Sequence, residues 1–307
     1  MLIWTANASR PTLETLRLRR GVIAAAFVLA LTIAACSESA APLATSEATM
    51  SAKADAPGTH RQYGVPVKVG NGRARTYVVL DQRSGAPVEA GVALDETAME
   101  GLPAPMPMPP GQHEHSDVYL LQLPARHGTP FQFVELDWNP AGHGYPYTAP
   151  HFDFHFYRID RAEREAIVPT DPQWMAKAAN LPAPEEIPAG YVPSHLLVGK
   201  APGEVSVPMM GLHWLDLASP ELPPASKPFT ATYITGTWDG RVIFDEPMIT
   251  REFIMAQRES AEGGVSIAVP IARRYLPAGY YPNGYRIGYD AQAKEYRIAL
   301  TGLGWRN

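Results

Sequence analysis

The segment Pro150–Tyr157, reading PHFDFHFY, alternates polar and aromatic residues without a break. His151, Asp153 and His155 share one parity; Phe152, Phe154 and Phe156 share the other. A β-strand has a side-chain period of two, so the segment is expected to be a strand with three coordinating groups on one face and three rings on the opposite face. The aromatic face requires a hydrophobic core, which fixes the direction in which the His-Asp-His face points.

Strand geometry limits what that face can hold. At ~3.3 Å rise per residue, the Cα atoms of His151 and His155 stand about 13 Å apart if the strand is straight. An imidazole places a bound ion on the order of 6 Å from its own Cα. The two histidines therefore share one ion only at full stretch, or over a bulge. The pairs His151–Asp153 and Asp153–His155, about 7 Å apart, are comfortable, and further ligands must come from other segments. Three candidates stand out. His143 lies in GHGYP on the connection feeding the strand, His213 lies between Leu212 and Trp214 in MMGLHWLD, and Glu246 follows a hairpin strand in FDEPMIT. Together with His151, Asp153 and His155 they would form a His/carboxylate site for a divalent transition metal: zinc, iron, manganese or copper. Asp153 could instead orient a ligand histidine by accepting its other N–H. The competing reading is a hydrogen-bonded polar face without an ion.

Around this strand the chain is rich in turn formers, with 31 prolines and 25 glycines among 307 residues, so long helices are not expected. Strands are predicted at Arg75–Asp81, Val88–Leu94, Asp117–Leu123, Pro130–Trp138, Val205–Trp214, Phe229–Gly236 and Arg241–Asp245. A C-terminal hairpin is predicted from Tyr285–Tyr289 and Tyr296–Thr301. Asp239-Gly240 is a hairpin turn signal. Short helices are expected at Asp95–Leu102 and Pro172–Ala179. No internal repeat or linker interrupts residues 58–307. The expected fold is mainly β, one antiparallel barrel or sandwich-like domain with a few short helices.

The first 57 residues read differently. Arg10, Arg17, Arg19 and Arg20 precede the apolar run Gly21–Ala35, which is too short for a comfortable membrane span. The run ends LTIAAC, the pattern of a signal peptide cut before Cys36. Cys36 is the only cysteine, so an internal disulfide and a thiolate metal cage are both excluded. The segment resembles the lipobox of bacterial lipoproteins, whose cysteine is acylated and becomes the mature N-terminus. The plainer alternative is an ordinary signal peptide with a chance cysteine. Residues 36–57 are Ser/Ala-rich and read as a disordered tether to a lipid bilayer. The implied location is the bacterial cell envelope, facing periplasm or exterior. A formal net charge of −5, with no basic run after the leader, argues against a nucleic-acid partner.

Taken in order, WNPAGHGYP, PHFDFHFY, MMGLHWLD and FDEPMIT resemble a family of bacterial secreted proteins and lipoproteins known as a domain of unknown function. Its founding structural member is under extracytoplasmic-stress sigma-factor control. The resemblance covers most of residues 58–253. It implies a β-rich fold and no established activity, and it maps the motif histidines onto His143, His151, His155 and His213, with Asp153 and Glu246 beside them.

Two functions fit these features. One is an envelope lipoprotein with a metal site used for binding or for chemistry on a small-molecule ligand. The other is a non-catalytic envelope-stress or assembly protein, including a homo-oligomer, in which the polar face is structural. Met106, Met108, Met209 and Met210 are thioethers of the kind that hold Cu(I), although MPMPP reads more simply as an extended connection. No nucleophile elbow, P-loop or dinucleotide fingerprint is present.

Overall fold

Among the described residues, proline and glycine keep the helices to one or two turns, and strands carry the fold. The computed structural model describes residues 57–106 and 116–307. The expectations for the leader, for Cys36 and the tether up to residue 56, and for Met108 lie outside the described residues. The described residues begin with β1 (Thr59–Tyr63), β2 (Val67–Val69), β3 (Gly72–Asp81) and β4 (Pro87–Asp95). It continues through β5 (Asp117–Gln122), β6 (Phe133–Asn139) and β7 (His151–Tyr157). Next come β8 (Tyr191–Pro193), β9 (Leu212–Asp216), β10 (Ala231–Trp238) and β11 (Arg241–Thr250). The last are β12 (Gly264–Ala268), β13 (Gly279–Tyr281), β14 (Gly284–Asp290), β15 (Glu295–Thr301) and β16 (Gly304–Arg306).

The described strands form two seven-stranded antiparallel sheets. One runs β1-β3-β4-β15-β14-β12, with β2 also paired to β3, and the other runs β5-β6-β7-β11-β10-β9-β8. Strands β13 and β16 make a separate two-stranded ribbon. Both large sheets have free edges among the described residues, so the architecture is sandwich-like rather than a closed barrel.

The aromatic face of β7 meets the expected core. Phe152, Phe154 and Phe156 are fully buried with Val134, Leu136 and Trp138 of β6 against Val78, Val92, Leu94, Ile298 and Leu300 of the other sheet. Each large side chain buried in this way contributes about 1.5–3 kcal/mol. The parity of β7 is thereby held: a one-residue slip would exchange three rings for two imidazoles and a carboxylate.

Two local expectations change. The Val205–Trp214 strand reduces to Leu212–Asp216. Pro202–Val205 is helical, and Pro208 together with Met209 and Gly211, at φ 67° and 69°, turns the chain before β9 can begin. Strand β11 continues past Asp245 to Thr250, through Pro247. Its pairing with β7 passes from Asp245↔Phe156 directly to Met248↔Asp153, which leaves the ladder open beside Glu246 and Pro247. Proline has no N–H to give to such a ladder.

Candidate metal centre

Strand β6 lies beside β7 with Glu135 opposite His155, Asp137 opposite Asp153 and Asn139 opposite His151. The sequence of β6, FVELDWN, alternates as β7 does, so its polar residues rise on the same face. On the far side of β7, the register of β11 puts Glu246 level with His155. The outer face of the second sheet thus carries Glu135, Asp137, Asp153, His151, His155 and Glu246, each at most 3% exposed.

Two apolar clusters close this patch off. Phe133, Tyr157 and Phe244 pack with Ile159, Ile167 and Trp174 on one side, and Met248 and Ile234 pack with Tyr147, Leu222 and Phe229 on the other. The cover comes from the β6–β7 connection and from the chain between β7 and β10. The polar face anticipated from the sequence is therefore interior, where an unpartnered polar group costs about 1–3 kcal/mol.

All six sequence-predicted ligands reach this patch, in two separate groups. The first comprises His143, His151 and Asp153, and the second His155, His213 and Glu246; within each group the ligand atoms lie within 4.8 Å of one another. The separation agrees with the strand spacing, since His151 and His155 serve different groups. A third set, Glu135, Asp137 and His155, meets the same distance limit and adds two acids to the candidates.

In the first group, His143 arrives on the β6–β7 connection. Gly142, at φ 74°, reverses the chain there, and a Cβ on it would stand 2.6 Å from the backbone carbon of Thr148. His143 Nε2 lies 3.1 Å from Asp153 Oδ2, and His151 Nε2 lies 3.2 Å from Asp153 Oδ1. Asn139 Nδ2 donates to Asp153 Oδ2 at 2.7 Å. His151 Nδ1 is 2.7 Å from the carbonyl of Ala149, which can only accept, so Nδ1 carries the proton.

In the second group, Glu246 spans two imidazoles: its Oε1 is 3.4 Å from His155 Nε2 and its Oε2 is 3.9 Å from His213 Nε2. Neither nitrogen of His155 has a hydrogen-bond partner, and neither does Glu246 Oε2 or Asp137 Oδ1. Both imidazoles rest on Phe244, with ring centroids 4.9 Å away for His155 and 5.5 Å for His213. Gly236, opposite both His213 and Phe244, makes room for that ring; a Cβ there would fall 2.1 Å from its carbon atoms. Glu135 is separated from this group by its ion pair with the buried Arg164, which also donates to the sulfur of Met209 at 3.0 Å. That sulfur is thereby engaged and is not a thioether ligand beside His213. The neighbour of Glu246, Asp245, faces the opposite way into a bidentate pair with Arg158.

Burial dominates the electrostatics. It lowers His155 to about 3 and His213 to about 4, so both imidazoles are neutral at ordinary pH. Burial, reinforced by Asp153, Asp137 and Glu135, raises Glu246 well above the carboxylate range. Asp137 is raised for the same reason, with Glu135 and Asp153 adding to burial. For Asp153 burial is outweighed by His151 and His143, which hold the carboxyl well below its usual range. Crowded acids with neutral imidazoles among them have the composition of a cation site. The 3.4 Å between His155 and Glu246 fits the spacing of ligands on one ion, and the 3.9 Å between His213 and Glu246 stands a little beyond it. Ligands bound at about 2.0–2.2 Å lie roughly 3.3–3.6 Å apart around a tetrahedral ion and about 3.0 Å apart around an octahedral one.

A family model described as TTHB210-like (Hypothetical protein TTHB210) matches residues 83–138. The matched stretch includes Glu135 and Asp137 and ends before β7. No curated protein and no solved structure matches the chain.

Proposed function

We propose that this protein is an envelope-anchored lipoprotein whose sandwich holds a divalent transition metal through His155, His213 and Glu246, with Asp137 at hand, for metal-dependent binding or chemistry on a small molecule. The observation that carries the reading is His155, a wholly buried imidazole with neither nitrogen hydrogen-bonded, facing a buried carboxylate at 3.4 Å. A polar network serving only the fold would satisfy those atoms, because leaving them bare is costly and replacing them with apolar side chains is cheap. The LTIAAC segment ending at Cys36 supports the lipid anchor and the envelope location.

The donor set of imidazole and carboxylate suits zinc, iron or manganese better than a thioether-preferring copper(I). Such an ion supplies Lewis acidity toward an oxygen-bearing ligand. The residues around it have distinct parts. Phe244 fixes both imidazole planes, Glu246 ties them together, and His213, with its side chain 17% exposed, marks the side nearer solvent. Glu246, when not engaged as a ligand, holds a proton within reach of either histidine.

Elemental analysis of the full chain, purified without a histidine tag, tests the proposal. A stoichiometric transition metal that is lost in the His155→Ala/His213→Ala double variant supports it. Metal-free protein that takes up no zinc or manganese on dialysis refutes it and leaves the non-catalytic scaffold.

A further inference from the structure

We infer that β7 carries a second ion, held by His143, His151 and Asp153, so that the sheet face is a two-ion centre whose outer ion binds a small anionic oxygen ligand. This rests on the metal-binding reading of the inner group, and it adds a site with no ligand in common. His143, His151 and Asp153 share no member with either set that contains His155. With Cα atoms about 13 Å apart along a straight strand, His151 and His155 cannot both lie at ease on one ion.

The outer group has the tautomer and the orientation that metal binding needs. His151 commits Nδ1–H to the carbonyl of Ala149, which turns Nε2 toward Asp153 Oδ1 at 3.2 Å. In the protonated ring an Nε2–H donates to that oxygen; in the neutral ring a cation can take the place of the proton between the two atoms. Backbone carbonyls commonly orient ligand histidines in this way. Asn139 anchors the other oxygen of Asp153, and His143 stands 3.1 Å from that oxygen. The separations of 3.1 and 3.2 Å fall at the edge lengths of an N/O coordination polyhedron, about 3.0–3.6 Å.

The two groups differ in access. His155 and Glu246 are closed off and the His213 side chain is 17% exposed, whereas the His143 side chain is 38% exposed. Three protein ligands with one reachable from solvent leave a position for an exogenous donor. Charge selects that donor. Glu135 is neutralised by Arg164, so Asp137, Asp153 and Glu246 contribute the remaining negative charge. One divalent ion leaves the cluster negative; two leave it positive by one, which favours a small anion such as a carboxylate or phosphate.

The test is the manganese stoichiometry of the full chain by equilibrium dialysis, followed by water-proton relaxation as inorganic phosphate is added. The wild type should bind two ions, and phosphate should lower the relaxivity. His143→Ala, a change at a partly exposed position, should weaken the second ion tenfold or more, abolish the phosphate effect and leave the first ion in place. His151→Ala should do the same if it folds. One ion per chain, unchanged in His143→Ala, overturns the second site while leaving the inner centre standing. No ion at all overturns both. Two ions with no phosphate response overturn the anion assignment.

Discussion

Glu246 Oε1 lies 3.4 Å from His155 Nε2 with both side chains shut away from solvent, and no hydrogen bond satisfies either nitrogen of the imidazole. The two residues come from strands that pair antiparallel across roughly a third of the chain, at a place where the ladder is open beside Pro247. A cation fits that arrangement better than a proton shared between one acid and one base.

Metal should therefore stabilise the fold. An ion present at about a thousandfold its Kd adds about 4 kcal/mol. For a domain of this size that corresponds to a rise in Tm of roughly 10 °C. Differential scanning calorimetry before and after chelation should show this drop, and readdition of zinc or manganese should reverse it.

Binding should release protons from acids rather than from histidines. In the metal-free protein Glu246 and Asp137 titrate well above the ordinary carboxylate range, while His155 and His213 are lowered to about 3 and about 4. An ion requires ionised carboxylates and neutral imidazoles. Above about pH 5 the imidazoles are already neutral, so protons leave the carboxyls, and affinity rises with pH until these are ionised without the ion. Calorimetry in buffers of different ionisation enthalpy at pH 7 should record the release. Glu246→Gln should reduce it.

Gly236→Ala should disturb the centre without removing a ligand. The added methyl meets the Phe244 ring, on which His155 and His213 both rest. Overpacking of this kind costs about 1–3 kcal/mol. Urea denaturation should show that loss, and metal affinity should fall with it.

Arg164 and Glu135 form a buried pair at the margin of the site, with side chains 5% and 0% exposed. Arg164→Met leaves Glu135 as a buried acid without its counter-charge, at a cost of about 3–5 kcal/mol. The double variant Arg164→Met/Glu135→Leu should recover most of that loss in the same denaturation experiment.

The proposed lipid anchor has its own test. Cys36→Ser should abolish incorporation of labelled fatty acid and move the protein from the membrane fraction to the soluble one. Unchanged labelling contradicts the acylation of Cys36.

The β7 face was readable because its period-two pattern is unbroken and each parity has one chemistry. The same pattern is present in FVELDWN, yet it does not by itself single out Glu135 and Asp137. Acids in a strand usually face water, and no local signal says that β6 lies beside β7. His213 stands out by its apolar neighbours and Glu246 by following a hairpin strand, but the division of the ligands into two groups depends on how β9, β10 and β11 pair, which is long-range topology. The run Val205–Trp214 is apolar enough to read as a strand, but Pro208 and the left-handed Gly211 confine β9 to Leu212–Asp216. Arg164 shows the same limit from the other side. Its helix, Arg161–Glu165, has a legible capping box at Asp160 and Glu163, but nothing in the helix says that the arginine turns inward to Glu135.

X-ray absorption spectroscopy of the metal-loaded full chain tests the inner centre most directly. The expected spectrum has nitrogen and oxygen neighbours at about 2.0–2.2 Å with outer-shell scattering from imidazole, and it loses imidazole scattering in His213→Ala. A spectrum of oxygen neighbours alone, identical in wild type and His213→Ala, would contradict a centre built on His155, His213 and Glu246.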